Sequence, residues 1–257
     1  MNSESPFSEY GSGTQLLFAF HGYGMNGDQF ITFTKSLIPN YKIIGFHLPY
    51  HRNGPENHQD WIAITLTTIY QIITDRKVQN YSLAGYSIGA RICLHLLPQL
   101  PQKIDKLFLF APYGLEKHIG LKFISKGFGH HFFKAVLNSR IPELLMNFTR
   151  FLGFIDSEHE AIILRELDTA EKRKNLCYSL LMSGELPVNS FESIKRLNEL
   201  NTKTIIVYGR NDVLFPFKNR NQKLLNLIKH RQVIEVKESH WLMTERLDLL
   251  LATNQND

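Results

Sequence analysis

The ten residues Tyr81-Ser82-Leu83-Ala84-Gly85-Tyr86-Ser87-Ile88-Gly89-Ala90 constrain this chain more than any other stretch. A short apolar run leads into Gly-x-Ser-x-Gly, and a helical pattern with Ile88, Ile92 and Leu96 spaced four apart follows at once. A strand that turns sharply into a helix leaves the serine at the apex, its hydroxyl exposed and its backbone strained. Gly85 and Gly89 flank the apex because a Cβ at either place would clash where strand and helix nearly touch. The motif by itself is weak, and the strand before it and helix after it are what make it a nucleophile elbow.

Around this centre the chain alternates. Gln15 to Phe20 reads as a strand ending in His21-Gly22-Tyr23-Gly24, and a helix is expected from Asn26 or Asp28 to Leu37. Tyr41 to His47 is the next strand, and Leu48 to Asp60 a polar loop whose last residue should cap a helix striped by Ile62, Leu66, Ile69 and Ile73. The elbow strand and its helix follow, closed by Pro98 and Pro101, and then a strand over Lys106 to Phe110. Residues 1 to 13 read as a tail or a frayed edge strand. Such alternation signals a mostly parallel sheet flanked by helices, with right-handed crossovers.

The rhythm breaks after Pro112. From about Leu115 to Leu186 there are only helical patterns, divided by Pro142, Gly153 and Gly184. An all-helical cap over residues 114–187 is expected, inserted into a core made of residues 1–113 and 188–257. Lys117 to Arg150 carries six Lys/Arg and one acid, whereas Asp156 to Glu171 carries six acids and one Arg. Two solvated faces that attract each other account for this; the alternative is steering of anionic substrates. Its phenylalanines, Phe123, Phe128, Phe132, Phe133, Phe148, Phe151 and Phe154, should pack the cap, with a few lining a pocket for an apolar or aromatic acyl or alcohol group. Gly114 and Gly184 stand at the two junctions, where a hinge could use them. A helix over Ser190 to Leu200 then leads back into alternation: strand Thr202 to Tyr208, helix Lys218 to Lys229, strand Gln232 to Val236, and a closing helix Trp241 to Leu251.

A serine hydroxyl attacks only when a base takes its proton and a third group orients that base. Those helpers belong at the carboxyl ends of later strands. Thr204 to Tyr208 runs into Gly209-Arg210-Asn211-Asp212, and Val233 to Val236 into Lys237-Glu238-Ser239-His240. Asp212 and His240 thus fall on the rim that carries Ser87, in the order serine, acid, histidine. Glu238 and Asp248 are the other acids nearby, and neither follows a strand by the right interval. Two backbone N–H groups must face the developing oxyanion. Ile88 should supply one and Tyr23, in the glycine-rich loop, the other. His21 is expected to bond the backbone of that loop.

On these residues the chain resembles the α/β-hydrolase superfamily, in its serine hydrolases with a helical cap domain. His21-Gly22 after the first core strand, the elbow around Ser87, Gly209-x-x-Asp212 and His240 before the last helix carry the resemblance over nearly the whole chain. It implies Ser87 as nucleophile, His240 as base and then acid, and Asp212 as its orienter. The reaction it implies is hydrolysis of a small carboxylic ester, thioester or lactone through an acyl-enzyme. Cleavage of a C–C bond, or a lyase reaction, on the same triad is the alternative. A common subgroup pattern has proline shortly after the His-Gly pair, where this chain has Tyr23 and Gly24. A non-catalytic ligand-binding protein would be expected to lack the serine, the histidine or the acid, and all three are present.

Composition narrows the rest. The formal charge of +5 has no Lys/Arg run longer than the three residues Lys172-Arg173-Lys174, so no nucleic-acid partner is expected. No stretch approaches the ~18 apolar residues that span a bilayer, and the start has no signal-peptide pattern, so a cytoplasmic protein without a membrane partner is expected. Cys93 and Cys177 make no disulfide framework. His130, His131 and His159, with Glu158 or Glu160, match no ligand spacing, so neither metal nor cofactor is expected. Whether the protein is a monomer or a homodimer is left open.

Overall fold

Apolar runs of four to eight residues form a seven-stranded sheet: β1 (Phe7–Tyr10), β2 (Gln15–Phe20), β3 (Tyr41–Phe46), β4 (Asn80–Tyr86), β5 (Lys103–Phe110), β6 (Lys203–Gly209) and β7 (Arg231–Val236). The computed structural model describes residues 5–55, 58–100, 103–115, 169–212 and 214–253. The chain divides into two compact units, residues 1–117 with 186–257 and residues 118–185. Within the described residues the helices are α1 (Trp61–Asp75), α2 (Ile88–Leu96), α3 (Ala170–Glu185), α4 (Ser190–Leu200), α5 (Gln222–Asn226) and α6 (Glu245–Thr253). The second unit's described part is α3, and Gly184 lies inside its last turn. The seven cap phenylalanines and His130, His131, Glu158, His159 and Glu160 lie outside the described residues.

The strand order is β1-β3-β2-β4-β5-β6-β7, with β1 antiparallel at the edge and every other pair parallel. A parallel sheet covered on both faces needs apolar residues at successive positions, not alternate ones. Leu17 to Phe20 and Ile205 to Tyr208 meet that need, all buried. On one face Leu17, Ala19, Ala84, Phe108, Phe110 and Val207 join Phe30, Phe33 and Leu37 from the β2–β3 connection and Leu242, Leu247 and Leu251 from the C-terminal segment. On the other, Phe18 meets the Tyr81 ring edge-on at 5.3 Å and Phe20 meets Trp61 of α1 at 6.4 Å. Each such buried aromatic contributes about 1.5–3 kcal/mol through area removed from water.

The chain crosses from β3 over β2 to β4, so direction of travel reverses between β2 and β4. In open α/β sheets the crevice at that reversal, beyond the carboxyl ends of the strands, is where ligands bind. The register Phe20↔Gly85 sets the ends of β2 and β4 side by side there.

Four local expectations are corrected. The segment after Gly24 forms a short 3-10 turn, Gln29–Thr32, and not an α-helix to Leu37. Tertiary bonds hold its backbone instead: the buried Asp248 carboxylate accepts the Lys35 and Ser36 N–H groups at 2.9 and 2.8 Å. Asp60 precedes α1 but is left-handed (φ 65°), and its side chain makes no capping bond. The helix expected over Lys218 to Lys229 shrinks to α5, because Asn221, whose side chain accepts the Leu224 N–H, caps it late and Phe217–Asn219 is a 3-10 turn. The last helix starts at Glu245, which leaves residues 237–244 as an irregular segment. α4 spans the expected residues, with the Asn189 side chain accepting the Glu192 N–H and Asn201 left-handed at its end.

Candidate active site

Ser87 follows the last residue of β4 and precedes the first of α2. Its backbone stands at φ 53°, ψ −113°, a conformation costing about 1–3 kcal/mol in a non-glycine residue. Three hydrogen bonds hold it there. The Ser87 N–H donates to the Phe110 carbonyl at 2.8 Å, and the Ser87 carbonyl accepts from Ala90 and Tyr113 N–H at 3.1 and 3.2 Å. The flanking glycines have the reason anticipated from sequence. A Cβ on Gly85 would lie 2.6 Å from the Ala90 backbone, and one on Gly89 only 2.0 Å from the Phe20 carbonyl oxygen.

That second approach brings the start of α2 against the loop after β2. Ile88 opens the helix directly after Ser87, and the same missing Cβ on Gly89 would lie 2.6 Å from the His21 carbonyl oxygen. The loop is fixed from behind. Gln29 Oε1 accepts the Gly22 N–H at 2.8 Å, His21 Nδ1 faces the Gly22 carbonyl at 2.7 Å, and the Leu48 N–H donates to His21 Nε2 at 3.0 Å. Tyr23 follows directly, its ring 5.3 Å from that of His51. Burial holds the His21 imidazole well below its ordinary pKa, with His51 adding to the effect, and burial holds His51 at about 4.

Asp212 lies three residues past β6, and His240 four past β7, on the same rim as Ser87. The two loops touch: a Cβ on Gly209 would lie 2.1 Å from the Ser239 carbonyl oxygen, and the Asn211 N–H donates to the Glu238 carbonyl at 2.9 Å. His240 Nδ1 stands 2.8 Å from Asp212 Oδ2, and its Nε2 stands 3.1 Å from Ser87 Oγ. The Asp212 side chain is fully buried and its other oxygen, Oδ1, accepts the Leu214 and Phe215 N–H groups, both at 2.8 Å. An ionised acid with both oxygens engaged favours the tautomer whose Nδ1 carries the proton, which leaves Nε2 as the acceptor toward Ser87. The arrangement can pass a proton from the serine hydroxyl to the imidazole.

Of the residues expected from sequence, Ser87, Asp212 and His240 are thus brought into one hydrogen-bonded row, and Ile88 opens a helix whose next residue, Gly89, lies against Phe20 and His21 of the chain leading to Tyr23. Asp248 stands apart, its carboxylate accepting the Lys35 N–H and, at 2.6 Å, the Ser36 hydroxyl. Three participants went unseen in the sequence. Gln29 braces the loop before Tyr23. The Phe215 ring lies 5.4 Å from the His240 ring and stacks on Tyr113 at 5.7 Å. Tyr86, one residue before the serine, donates its hydroxyl to the His240 carbonyl at 2.8 Å. Its place inside Gly-x-Ser-x-Gly was the one signal available. Burial, with the Asp212 charge adding to it, raises the Tyr86 phenol far above its ordinary pKa, so it remains a donor.

Comparisons with known proteins bear on the family and the fold. The chain is similar to the pimeloyl-[acyl-carrier protein] methyl ester esterase of Nitrosomonas europaea, 22% identical over 220 residues that cover 80% of each chain. It is similar to the 2-hydroxy-6-oxononadienedioate/2-hydroxy-6-oxononatrienedioate hydrolase of Comamonas testosteroni, 24% identical over 66% of this chain and 60% of that one. Among solved structures, MenH from S. aureus superposes with a TM-score of 0.66 at 19% identity, covering 98% of this chain and all of that one. The model of the alpha/beta hydrolase fold family matches residues 15–247, and the chain belongs to that family.

Proposed function

We propose that this hydrolase cleaves a small carboxylic ester, thioester or lactone through an acyl-enzyme on Ser87. The observation that carries the reading is the row Ser87 Oγ, His240 Nε2, His240 Nδ1, Asp212 Oδ2, with contacts of 3.1 and 2.8 Å at a strained elbow. In this reading Ser87 Oγ attacks the substrate carbonyl carbon while its proton passes to His240 Nε2. Asp212 holds the ring and stabilises the imidazolium. The carbonyl oxygen becomes an oxyanion facing the Ile88 and Tyr23 N–H groups. Collapse breaks the bond to the leaving oxygen or sulfur, which takes the proton from His240. Water, deprotonated by the same imidazole, then releases the acid and restores Ser87.

The same proposal takes residues 114–187 as a cap and the remainder as core. The Phe215 and Tyr113 rings beside His240 support an apolar or aromatic group on the substrate. Relatedness to a methyl ester esterase supports the ester reading. Hydrolysis of a carbon–carbon bond by the same three residues is the second reading, supported by relatedness to the Comamonas hydrolase. Turnover of a p-nitrophenyl ester series, with a thioester, a lactone and a 2-hydroxy-6-oxodienoate in parallel, separates the two. Hydrolysis of short apolar esters at kcat/KM of at least about 10⁴ M⁻¹s⁻¹ is expected. Cleavage of the dienoate alone would overturn the ester reading.

A further inference from the structure

The base of the proposed triad sits on the irregular segment 237–244, between β7 and α6. Asp212 orients the ring of His240 at Nδ1, but where Nε2 then lies relative to Ser87 also depends on where the main chain of residue 240 is held. A restraint on the main chain of residue 240 therefore helps to fix Nε2 relative to Ser87.

Tyr86 supplies such a restraint. It ends β4, is 3% exposed, and is covalently joined to Ser87. Its hydroxyl donates to the His240 carbonyl at 2.8 Å. Its ring lies 5.5 Å from the His240 ring at a 32° tilt and meets the Trp241 ring at 89°. On the other side it rests so tightly on the loop after β2 that a Cβ on Gly22 would lie 2.3 Å from Tyr86 Cδ1. A closed circuit results: Ser87 backbone, Tyr86 ring, Tyr86 hydroxyl, His240 carbonyl, His240 Nε2, Ser87 Oγ.

We infer that Tyr86 is a positioning residue, which ties the nucleophile's strand to the base's loop and sets the Oγ–Nε2 separation through its hydroxyl. This rests on the proposed roles of Ser87 and His240. The hydroxyl touches no reacting atom. Its effect is on geometry, and loss of alignment by about 1 Å can cost on the order of 10²-fold in rate.

Tyr86→Phe keeps the ring and its packing while deleting the donor, so it isolates the hydroxyl. The readout is a stopped-flow burst with a p-nitrophenyl ester, together with labelling by a fluorophosphonate mapped to its peptide. A positioning role predicts a fluorophosphonate stoichiometry per mole of protein near that of wild type, an acylation rate constant lowered about tenfold to a hundredfold, and a substrate dissociation constant from the concentration dependence of the burst rate changed less than threefold. 4-Aminophenylalanine at position 86, which restores a donor on the ring, should recover most of the rate. A reduced labelling stoichiometry with an unchanged acylation rate constant would mean that the hydroxyl only holds the fold together, and would overturn the inference. So would unchanged kinetics in Tyr86→Phe, or failure of that variant to fold. If wild-type protein were not labelled on Ser87 at all, the triad reading would fall first and the inference with it. Labelling of wild type with no slowing in Tyr86→Phe would sink the inference alone.

Discussion

Replacing Asp212 by asparagine tests the logic of the row because the structure dictates how the new amide must sit. Asp212 Oδ1 accepts two backbone N–H groups, from Leu214 and Phe215, each at 2.8 Å. In the variant the amide oxygen must keep that place, since an NH₂ group there would face two donors with no acceptor. The amide nitrogen is therefore turned toward His240 Nδ1, where the carboxylate Oδ2 stood at 2.8 Å. Nδ1 must now accept, so the ring proton moves to Nε2 and points at Ser87 Oγ. An imidazole in that tautomer cannot take the serine's proton. The expected loss in kcat is roughly 10⁴-fold, about 5.4 kcal/mol of transition-state stabilisation. Folding should change little, because both backbone donors stay paired. Initial rates with a p-nitrophenyl ester, corrected by far-UV circular dichroism for folded protein, read both quantities. A folded Asp212→Asn enzyme within tenfold of wild type would refute the argument, most directly if Glu238→Gln abolished activity instead.

Two further outcomes concern groups away from the row. Asp248→Ala leaves the Lys35 and Ser36 N–H groups without their carboxylate and should cost about 3 kcal/mol, or about 10 °C in Tm, with the acylation rate per folded site unchanged; a lowered rate per site would give Asp248 a role in catalysis. His21 and His51 are kept neutral by burial, with His51 at about 4, so the unfolded chain protonates them first and stability should fall as pH drops below about 6.5, the His51 part levelling off below about 4. Each ring contributes a slope of about 1.4 kcal/mol per pH unit in that window, and His51→Gln should remove one such share in urea unfolding at pH 7, 6 and 5; an unaltered slope would contradict the assignment.

What could be read from the chain beforehand follows from how local each cause is. The elbow was legible because its strand, its glycines and its helix are contiguous, and the glycine contacts lie within five residues or at the neighbouring strand end. Asp212 and His240 were legible as positions, since a loop at the carboxyl end of a parallel strand must reach the rim. The segment from Asn26 to Leu37 misled because its apolar residues do face the core, yet Asp248, more than 200 residues away, supplies the bonds that a helix would have made internally. The α5 region misled for a smaller reason. Its cap is Asn221, and Arg220 just before it has an extended backbone (ψ 144°), so no continuous helix runs through it; the Arg220 guanidinium lies 3.6 Å from the Phe217 ring centre. Tyr86 had no readable role in advance, because its partner carbonyl belongs to residue 240 and a backbone acceptor leaves no trace in sequence.

The central claim is that Ser87 is the group acylated, and intact-mass measurement after treatment with a fluorophosphonate tests it most directly. One adduct per chain is expected, mapped by peptide sequencing to Ser87, with none formed on Ser87→Ala and a fall in ester turnover of about 10⁶-fold in that variant. An adduct on another residue, or ester hydrolysis by Ser87→Ala at the wild-type rate, would contradict it.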